Sequence, residues 1–114
     1  MGIIYKIAPR ALWAEAQEKG VFDGAPVDHR DGYIHFSTAD QAVETAAKHF
    51  AGADDLVLVA VDAGRLGDSL KWEPSRGGAL FPHLYAPLNL AAVMWVKDLP
   101  LGVDGYHIFP DLRP

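Results

Sequence analysis

The sequence predicts a single α+β domain in which two short helices pack on a mixed, largely antiparallel sheet. The chain has 114 residues, 50% of them apolar, which is enough for one compact domain and too few for two ordinary ones. Strand and helix patterns alternate in the first half, whereas the second half carries strand patterns without helices between them, which disfavours a doubly wound fold. We expect the core to span residues 3–98 and residues 99–114 to form a surface-lying C-terminal tail.

The composition excludes several kinds of function. With 10 Lys and Arg against 15 Asp and Glu, and a net charge of −5, we expect no nucleic-acid partner. The absence of cysteine excludes disulfides, thiol nucleophiles and thiolate metal sites. No apolar run approaches the roughly 20 residues of a membrane span, and no signal peptide is recognisable. A cytoplasmic protein with a small-molecule ligand fits these limits, and the oligomeric state is left open.

The first 30 residues predict a strand, a helix and a loop. Residues 3–7 alternate between two faces as a strand does, and Pro9 ends them. Residues 11–19 are good helix formers, and Gly20 stands at the C-cap position. Residues 21–30 contain glycine, proline and charges without a period, which predicts a loop.

The next stretch predicts a strand that runs into a helix. Residues 32–36 alternate, and if the strand continues, His35 and Ser37 lie on the same face. Thr38 followed by Gln41 has the spacing of a capping box, which predicts a helix start at that point. An apolar stripe at helical spacing follows.

The second half predicts four strands. The uninterrupted apolar run at residues 56–61 predicts a central strand that is covered on both faces. Residues 70–73 alternate, which is typical of a strand. Residues 80–85 are extended but contain Pro82, which we expect at an edge or a bulge because proline cannot donate to a ladder. Residues 90–97 predict the last strand.

His35 and Ser37 are the first candidates for a ligand pocket. Their shared face leads to the start of the predicted helix, whose unpaired amides favour negative groups. Thr38, at that helix start, joins them as a ligand-binding candidate. The alternative for His35 is a half-buried structural histidine, and Ser37 could merely share the helix cap with Thr38.

A carboxylate and a guanidinium stand around one turn at residues 72–78. Arg76 precedes two glycines, so it can approach a phosphate or carboxylate closely and bind it in a bidentate, charge-assisted way. Trp72, next to Glu73, is an unusual residue for a purely solvated loop. The alternative is a solvated turn with a surface ion pair worth roughly 0–1 kcal/mol.

The third candidate segment is residues 81–87, which two prolines stiffen. His83 and Tyr85 alternate across it, so they could line the same cleft as His35 and supply an acid or base and a hydrogen-bonding phenol. The alternative has the Tyr85 ring packed and His83 exposed. No close pair such as His-x-x-x-His fixes two ligands on one element, so no metal is expected.

Four segments are distinctive enough to compare with known families. They are residues 4–7 (Ile-Tyr-Lys-Ile), residues 31–38 (Asp-Gly-Tyr-Ile-His-Phe-Ser-Thr), the strand at 56–62, and residues 72–85 from Trp-Glu-Pro to Phe-Pro-His-Leu-Tyr. On these segments the chain resembles the bacterial and plant proteins grouped as domain-of-unknown-function family 952. The resemblance covers roughly residues 3–98 and carries no established activity with it.

More distantly, the order of elements resembles the ADP-ribosyltransferase fold, and in particular the NAD-using RNA 2′-phosphotransferases. Residues 34–37 and the strand at 56–62 are similar to the second and third strands of those enzymes. Lys6 stands where they carry a first-strand histidine that grips the ribose of NAD. The basic residues with which they hold a phosphorylated RNA are not evident in this acidic chain.

This second resemblance implies an enzyme that binds NAD and transfers ADP-ribosyl groups or processes a related nucleotide. Its catalytic residues would be Glu73, His35 and His83, with the Glu73 carboxylate stabilising a cationic transition state. Its ligand-binding residues would be Ser37, Thr38, Arg76, Tyr85 and Lys6.

Two alternatives come from other classes of protein. A non-catalytic module could bind a nucleotide or small anion in the same pocket, and the presence of Lys6 in place of a histidine favours it. A protein-interaction domain could instead use residues 81–87 as an exposed contact. Exposure of Phe81, Leu84 and Tyr85 would favour this second alternative, and their burial would count against it.

Overall fold

Strands and helices alternate in the first half of the chain, and strands without intervening α-helices make up the second half. The computed structural model describes residues 2–112 apart from the side chain of Arg76. Eight strands and three α-helices lie within that range. Their bounds in chain order are β1 Ile3–Pro9, α1 Arg10–Lys19, β2 Val21–Phe22, α2 Pro26–Asp31, β3 Ile34–His35, α3 Ala39–His49, β4 Leu56–Asp62, β5 Leu70–Pro74, β6 Leu80–Leu84, β7 Leu88–Asn89 and β8 Val93–Leu99.

Two three-stranded sheets run through the domain, in the orders β1-β4-β8 and β3-β6-β5, and β2 pairs with β7 in a separate ribbon. The two larger sheets meet at β1. There the Tyr5 N–H donates to the Ser37 carbonyl at 2.8 Å, and the Ser37 N–H donates to the Tyr5 carbonyl at 2.9 Å. The strand pairs of the described residues are all antiparallel, so the predicted α+β class is confirmed.

β4 is the central strand of the first sheet, as its apolar run predicts. It lies between β1 and β8, and residues 56–61 are at most 3% exposed. Because successive side chains point to opposite faces, its valines join an apolar cluster with Trp13 of α1 and its leucines join one with Ala46 of α3. Both helices therefore cover this sheet, one on each face. None of the described helices is long and apolar enough to cross a membrane.

The position of Pro82 corrects the prediction of an edge or a bulge. β6 is the middle strand of its sheet, and Pro82 is buried within it. The Pro82 carbonyl accepts the Phe36 N–H at 3.0 Å, but proline has no N–H with which to return the second bond of this pair. The pairing of β3 with β6 ends there, and the next residue, Ser37, pairs with Tyr5 of β1 instead.

The helix α2 corrects two predictions, that of only two helices and that of a loop at residues 21–30. Pro26 occupies its first turn, where a missing N–H is tolerated, and Gly32 ends it in the left-handed conformation at φ 87°. A helix of 6 residues is too short to display an apolar period in the sequence. Its support is tertiary, because it buries Asp28 against β1 and β3.

Local capping sets where two other elements begin. The Gln41 side-chain oxygen accepts the Thr38 N–H at 3.0 Å and α3 follows at once, so the helix start predicted at Thr38 is confirmed. The last strand begins later than predicted, at Val93. The preceding residues form a 3₁₀ turn, Leu90–Ala92, which the Asn89 side chain caps by accepting the Ala91 N–H.

We expect Gly20→Ala to destabilise the fold by about 1–2 kcal/mol. Gly20 ends α1 at φ 82°, in the left-handed region, where a Cβ strains the backbone. No neighbouring atom lies within 4 Å of the added Cβ, so backbone strain rather than a clash sets the loss. Urea unfolding measures it against Gly2→Ala, a position with open surroundings and no positive φ. Equal stability of the two variants would contradict the expectation.

Candidate functional site

A cleft of about 440 Å³ opens where the two larger sheets meet. It is lined by apolar rings that include Phe36, Phe50 and Phe81, and by the imidazoles of His35 and His83. Its volume lies in the range of small-molecule sites, and it mixes apolar walls with a few polar groups as such sites do. A smaller cavity of about 290 Å³ beside α1 contains none of the predicted site residues.

Asp28 of α2 is bonded to two residues that line the cleft, Lys6 and His35. Its side chain is buried and accepts hydrogen bonds from the Lys6 ammonium at 2.9 Å, the Ala25 N–H at 2.8 Å and the His35 N–H at 3.1 Å. The Nδ1 atom of His35 lies 2.6 Å from Asp28 Oδ1. This carboxylate of α2 thus connects the helix to β1 and β3, because each of these strands directs a donor at it.

Asp28 and Lys6 form a buried ion pair. Burial alone raises the pKa of Asp28, but the hydrogen bond from His35 and the charge of Lys6 outweigh it and hold that pKa well below its ordinary value of 3.8. Burial lowers the pKa of Lys6, and Asp28 opposes this effect. Breaking such a pair leaves an uncompensated buried charge, so the stability of this side of the cleft depends on both partners.

The second nitrogen of His35 also faces a carboxylate. Nε2 lies 2.9 Å from Asp31 Oδ2, while Nδ1 is held by Asp28. Neither ring nitrogen is left for a ligand in this arrangement. Asp31 is also bonded to the Arg30 guanidinium at 3.0 Å, and this bond, together with His35, lowers the pKa of Asp31.

Glu73 forms a second polar group with His83 and Tyr85. Its Oε1 lies 2.8 Å from His83 Nδ1 and accepts the Tyr85 hydroxyl at 2.6 Å. The bonds from Tyr85 and then His83 lower the pKa of Glu73, and the same carboxylate raises the pKa of Tyr85 to about 12. Glu73 is therefore an ionised carboxylate, and Tyr85 keeps its proton at neutral pH.

His83 is held so that one ring nitrogen is available. When Nδ1–H donates to a carboxylate, the other nitrogen of a neutral imidazole carries a lone pair. The Nε2 atom of His83 has no partner among the described residues, and the side chain lines the cleft although it is only 4% exposed. His83 is thus arranged as a proton acceptor or hydrogen-bond acceptor.

The Tyr33 ring joins the two polar groups into one aromatic wall. It stacks on His83 with 4.1 Å between ring centroids, and its centroid lies 4.6 Å from that of His35 and 5.2 Å from that of Tyr85. The two imidazole centroids are 5.7 Å apart. The aromatic wall, defined as Tyr33, His35, His83 and Tyr85, lies against the Glu73 carboxylate.

The structure brings together four of the residues predicted from the sequence. His35, Glu73, His83 and Tyr85 are in one connected network, although it contains no direct bond between His35 and Glu73. His35 and His83 line the cleft, whereas Glu73, bonded to His83, and Tyr85, bonded to Glu73, are outside the described lining. Lys6 joins them through Asp28. Their roles in binding or catalysis stay predictions.

The remaining predicted residues are placed differently. The Ser37 hydroxyl lies 2.9 Å from that of Thr45, and both residues line the cleft. Thr38 caps α3 through its backbone and is not part of the lining described for the cleft. The backbone of Arg76 lies in a short 3₁₀ turn after β5, and its side chain is outside the described part of the structure.

Sequence reasoning missed Asp28, Asp31 and Tyr33. Tyr33 could have been found, because it lies two residues before His35 and alternation puts the two rings on one face. Asp31 is four residues from His35, but the helix α2 that positions it was not predicted. Asp28 gives no local signal, since its partners Lys6 and His35 are 22 and 7 residues away.

Comparison with known proteins identifies the family. The family model described as "Protein of unknown function (DUF952)" matches residues 7–96. The chain is similar to protein CC0527 from Caulobacter crescentus, with 54% identity over 93% of both chains and a TM-score of 0.90 to its X-ray crystal structure. The solution NMR structure of CC0527 gives 55% identity, 93% and 91% coverage of this chain and that one, and a TM-score of 0.83.

A search of curated proteins found no match. The matched family segment covers most of the chain and includes every residue of the cleft network except Lys6. The chain therefore belongs to the DUF952 family of proteins of unknown function.

Proposed function

We propose that the protein is an NAD-dependent ADP-ribosyl-transferring enzyme of ADP-ribosyltransferase-like architecture, with its reaction centre at Glu73 and His83. The observation that carries the proposal is the Glu73 carboxylate, which is ionised, held by two hydrogen bonds through one oxygen, and set against the aromatic wall. NAD is the substrate in this reaction, not a resident cofactor. The resemblance to ADP-ribosyltransferases that the order of elements in the sequence indicates supports the same proposal.

The chemistry requires a group that stabilises positive charge. The bond between C1′ of the nicotinamide ribose and the ring nitrogen breaks, and nicotinamide leaves with the electron pair. Positive charge then develops on the ribose, and a fixed carboxylate beside it stabilises that charge. Glu73 suits this role because its hydrogen bonds with Tyr85 and His83 fix the position of its carboxylate.

A second group must take the proton of the acceptor. As the acceptor oxygen bonds to C1′, its hydrogen passes to the lone pair on His83 Nε2, and Glu73 stabilises the imidazolium that forms. The products are nicotinamide, the ADP-ribosylated acceptor and one proton. With water as the acceptor, the product is ADP-ribose.

The charges that line the cleft favour the binding of a cationic reacting group over the binding of a polyanion. Lys6 pairs with Asp28 and Arg30 pairs with Asp31, so both described Lys and Arg side chains of the cleft lining already face carboxylates. A flat, positively charged nicotinamide ring is attracted to aromatic faces such as that of Tyr33. Arg76 keeps its predicted role of binding a phosphate or carboxylate as part of the proposal.

Calorimetric titration with NAD and ADP-ribose tests whether the cleft binds the proposed substrate. We expect wild-type protein to bind NAD, and Tyr33→Leu to bind it about tenfold more weakly because an aromatic stacking surface is lost. Tyr106→Leu, which removes a ring that is 64% exposed in the C-terminal segment, is the matched control and should bind as wild type does. No heat at millimolar NAD, or equal affinity in both variants, would overturn the proposal.

One observation favours a second candidate, a non-catalytic nucleotide-binding module. The Lys6 ammonium is paired with Asp28, so it is not available to bind a ribose as a first-strand histidine would. NAD binding without any release of nicotinamide would support this candidate. For the third alternative, an interaction surface at residues 81–87, the burial of Phe81 and Leu84 counts against it, whereas Tyr85 is exposed.

A further inference from the structure

The two histidines of the cleft have different hydrogen-bond environments. His83 has one carboxylate, Glu73, at Nδ1. His35 has a carboxylate at each nitrogen, Asp28 Oδ1 at 2.6 Å from Nδ1 and Asp31 Oδ2 at 2.9 Å from Nε2. This asymmetry separates two residues that the sequence predicts as equivalent catalytic candidates.

The geometry at His35 requires both ring nitrogens to donate. An ionised carboxylate only accepts hydrogen bonds, so a neutral imidazole could satisfy one of the two contacts and would place a lone pair against the other. Asp28 and Asp31 are both ionised, since their neighbours lower the pKa of each. A ring that donates at Nδ1 and Nε2 is an imidazolium.

The other charged and titratable groups around His35 are compatible with this state. Lys6 of β1 and Arg30 of α2 are each paired with one of the two carboxylates, and neither displaces His35 from them. On the remaining sides are the rings of Tyr33 and, on β6, His83. No described carboxylate is left to bond His83 Nε2 in the same way, so the two imidazoles do not share one environment.

We propose that Asp28 is a positioning residue that, together with Asp31, holds His35 as a doubly protonated cation and thereby reserves proton transfer for His83. In this state His35 has no lone pair with which to accept a proton, whereas His83, whose ring centroid is 5.7 Å away, is bonded to one carboxylate only and keeps a lone pair at Nε2. The consequence for catalysis rests on the proposed function, whereas the protonation state of His35 does not.

Long-range ¹H–¹⁵N NMR of the histidine side chains of the wild-type protein at neutral pH tests the state of both rings without any substrate. We expect His35 to show hydrogen on both ring nitrogens, and His83 to show hydrogen on Nδ1 only. A bare nitrogen on His35 would overturn the proposal. Because NAD plays no part in this measurement, its result is separate from that of any turnover assay.

A pair of variants tests the role of Asp28. In Lys6→Met, Asp28 keeps His35 as its counter-ion, so His35 should remain doubly protonated. In the double variant Lys6→Met and Asp28→Asn the buried charges are removed together, which avoids an unpaired ammonium. There we expect His35 to become a neutral ring at neutral pH. A doubly protonated His35 in the folded double variant would overturn the role of Asp28.

Asp31→Asn keeps the proposal testable if the double variant does not fold. Asp31 is exposed at the end of α2, so this change should leave the fold intact. An amide can donate to Nε2, and we therefore expect His35 to lose one ring hydrogen, with Asp68→Asn, an exposed site, as the control that leaves it unchanged. If His35 retains both hydrogens in Asp31→Asn, the two-carboxylate account is wrong.

Discussion

Glu73→Gln is expected to lower the rate of nicotinamide release from NAD by about 10²–10³-fold, the usual loss when a group aimed at developing charge is removed. Glutamine keeps the shape of the side chain, and its carbonyl oxygen can still accept from Tyr85 and from His83 Nδ1. The negative charge is lost while the geometry stays. Chromatographic measurement of nicotinamide over time, at equal protein concentration, gives the ratio of the two rates.

A matched control distinguishes the effect of losing the Glu73 charge from the effect of losing a carboxylate charge elsewhere on the protein. Glu18→Gln makes the same chemical change on the exposed surface of α1 and should leave the rate unchanged. Thermal unfolding of both variants checks that the fold is intact. If Glu73→Gln turns over NAD at the wild-type rate, the assignment of Glu73 is wrong.

The largest expected loss of stability follows from removing Asp28. Asp28→Ala should lower the free energy of unfolding by about 3–5 kcal/mol, because it leaves the Lys6 ammonium buried without its partner. It also leaves the Ala25 N–H at the start of α2 without its acceptor. Urea unfolding at neutral pH measures the loss against Asp68→Ala, an exposed position expected to change stability by no more than about 0.5 kcal/mol.

The stability that Asp28→Ala loses depends on pH in a predictable direction. The folded protein holds the pKa of Asp28 below the ordinary value of 3.8, so the stability from this carboxylate is fully present above that pH. It is lost progressively as the pH falls below 3.8 towards the folded pKa. The difference in stability between wild type and Asp28→Ala should therefore shrink in acid. A difference that is the same at neutral and at strongly acidic pH would contradict this account of Asp28.

The elements that the sequence predicts well are those that local forces determine. The apolar run at residues 56–61 leads to a strand buried on both faces, and the spacing of Thr38 and Gln41 leads to a capped helix start. The sequence predicts neither helix α2 nor the position of Pro82 in a middle strand. Both features depend on contacts with other parts of the chain. A buried side chain supports α2, and Pro82 is tolerated because the chain transfers its pairing to β1 after Phe36.

The residues of the candidate site also fall into those that a local pattern indicates and those that depend on tertiary contacts. Alternation along strands indicates that His35, His83 and Tyr85 face a common space, and the structure brings them together in one network with Glu73. Asp28 could not be found by such reasoning, because its partners come from β1 and β3 and meet it only after folding. The sequence thus indicates the candidates, whereas the pairing that distinguishes one histidine from the other requires the tertiary structure.

The most direct test of the proposed function is incubation of wild-type protein with NAD, followed by chromatographic measurement of free nicotinamide. We predict that nicotinamide accumulates above the spontaneous rate, with ADP-ribose appearing in equal amount when water is the acceptor, and that His83→Gln suppresses both. NAD that remains intact at the spontaneous rate, with protein whose fold is verified by circular dichroism, would contradict an ADP-ribosyl-transferring enzyme.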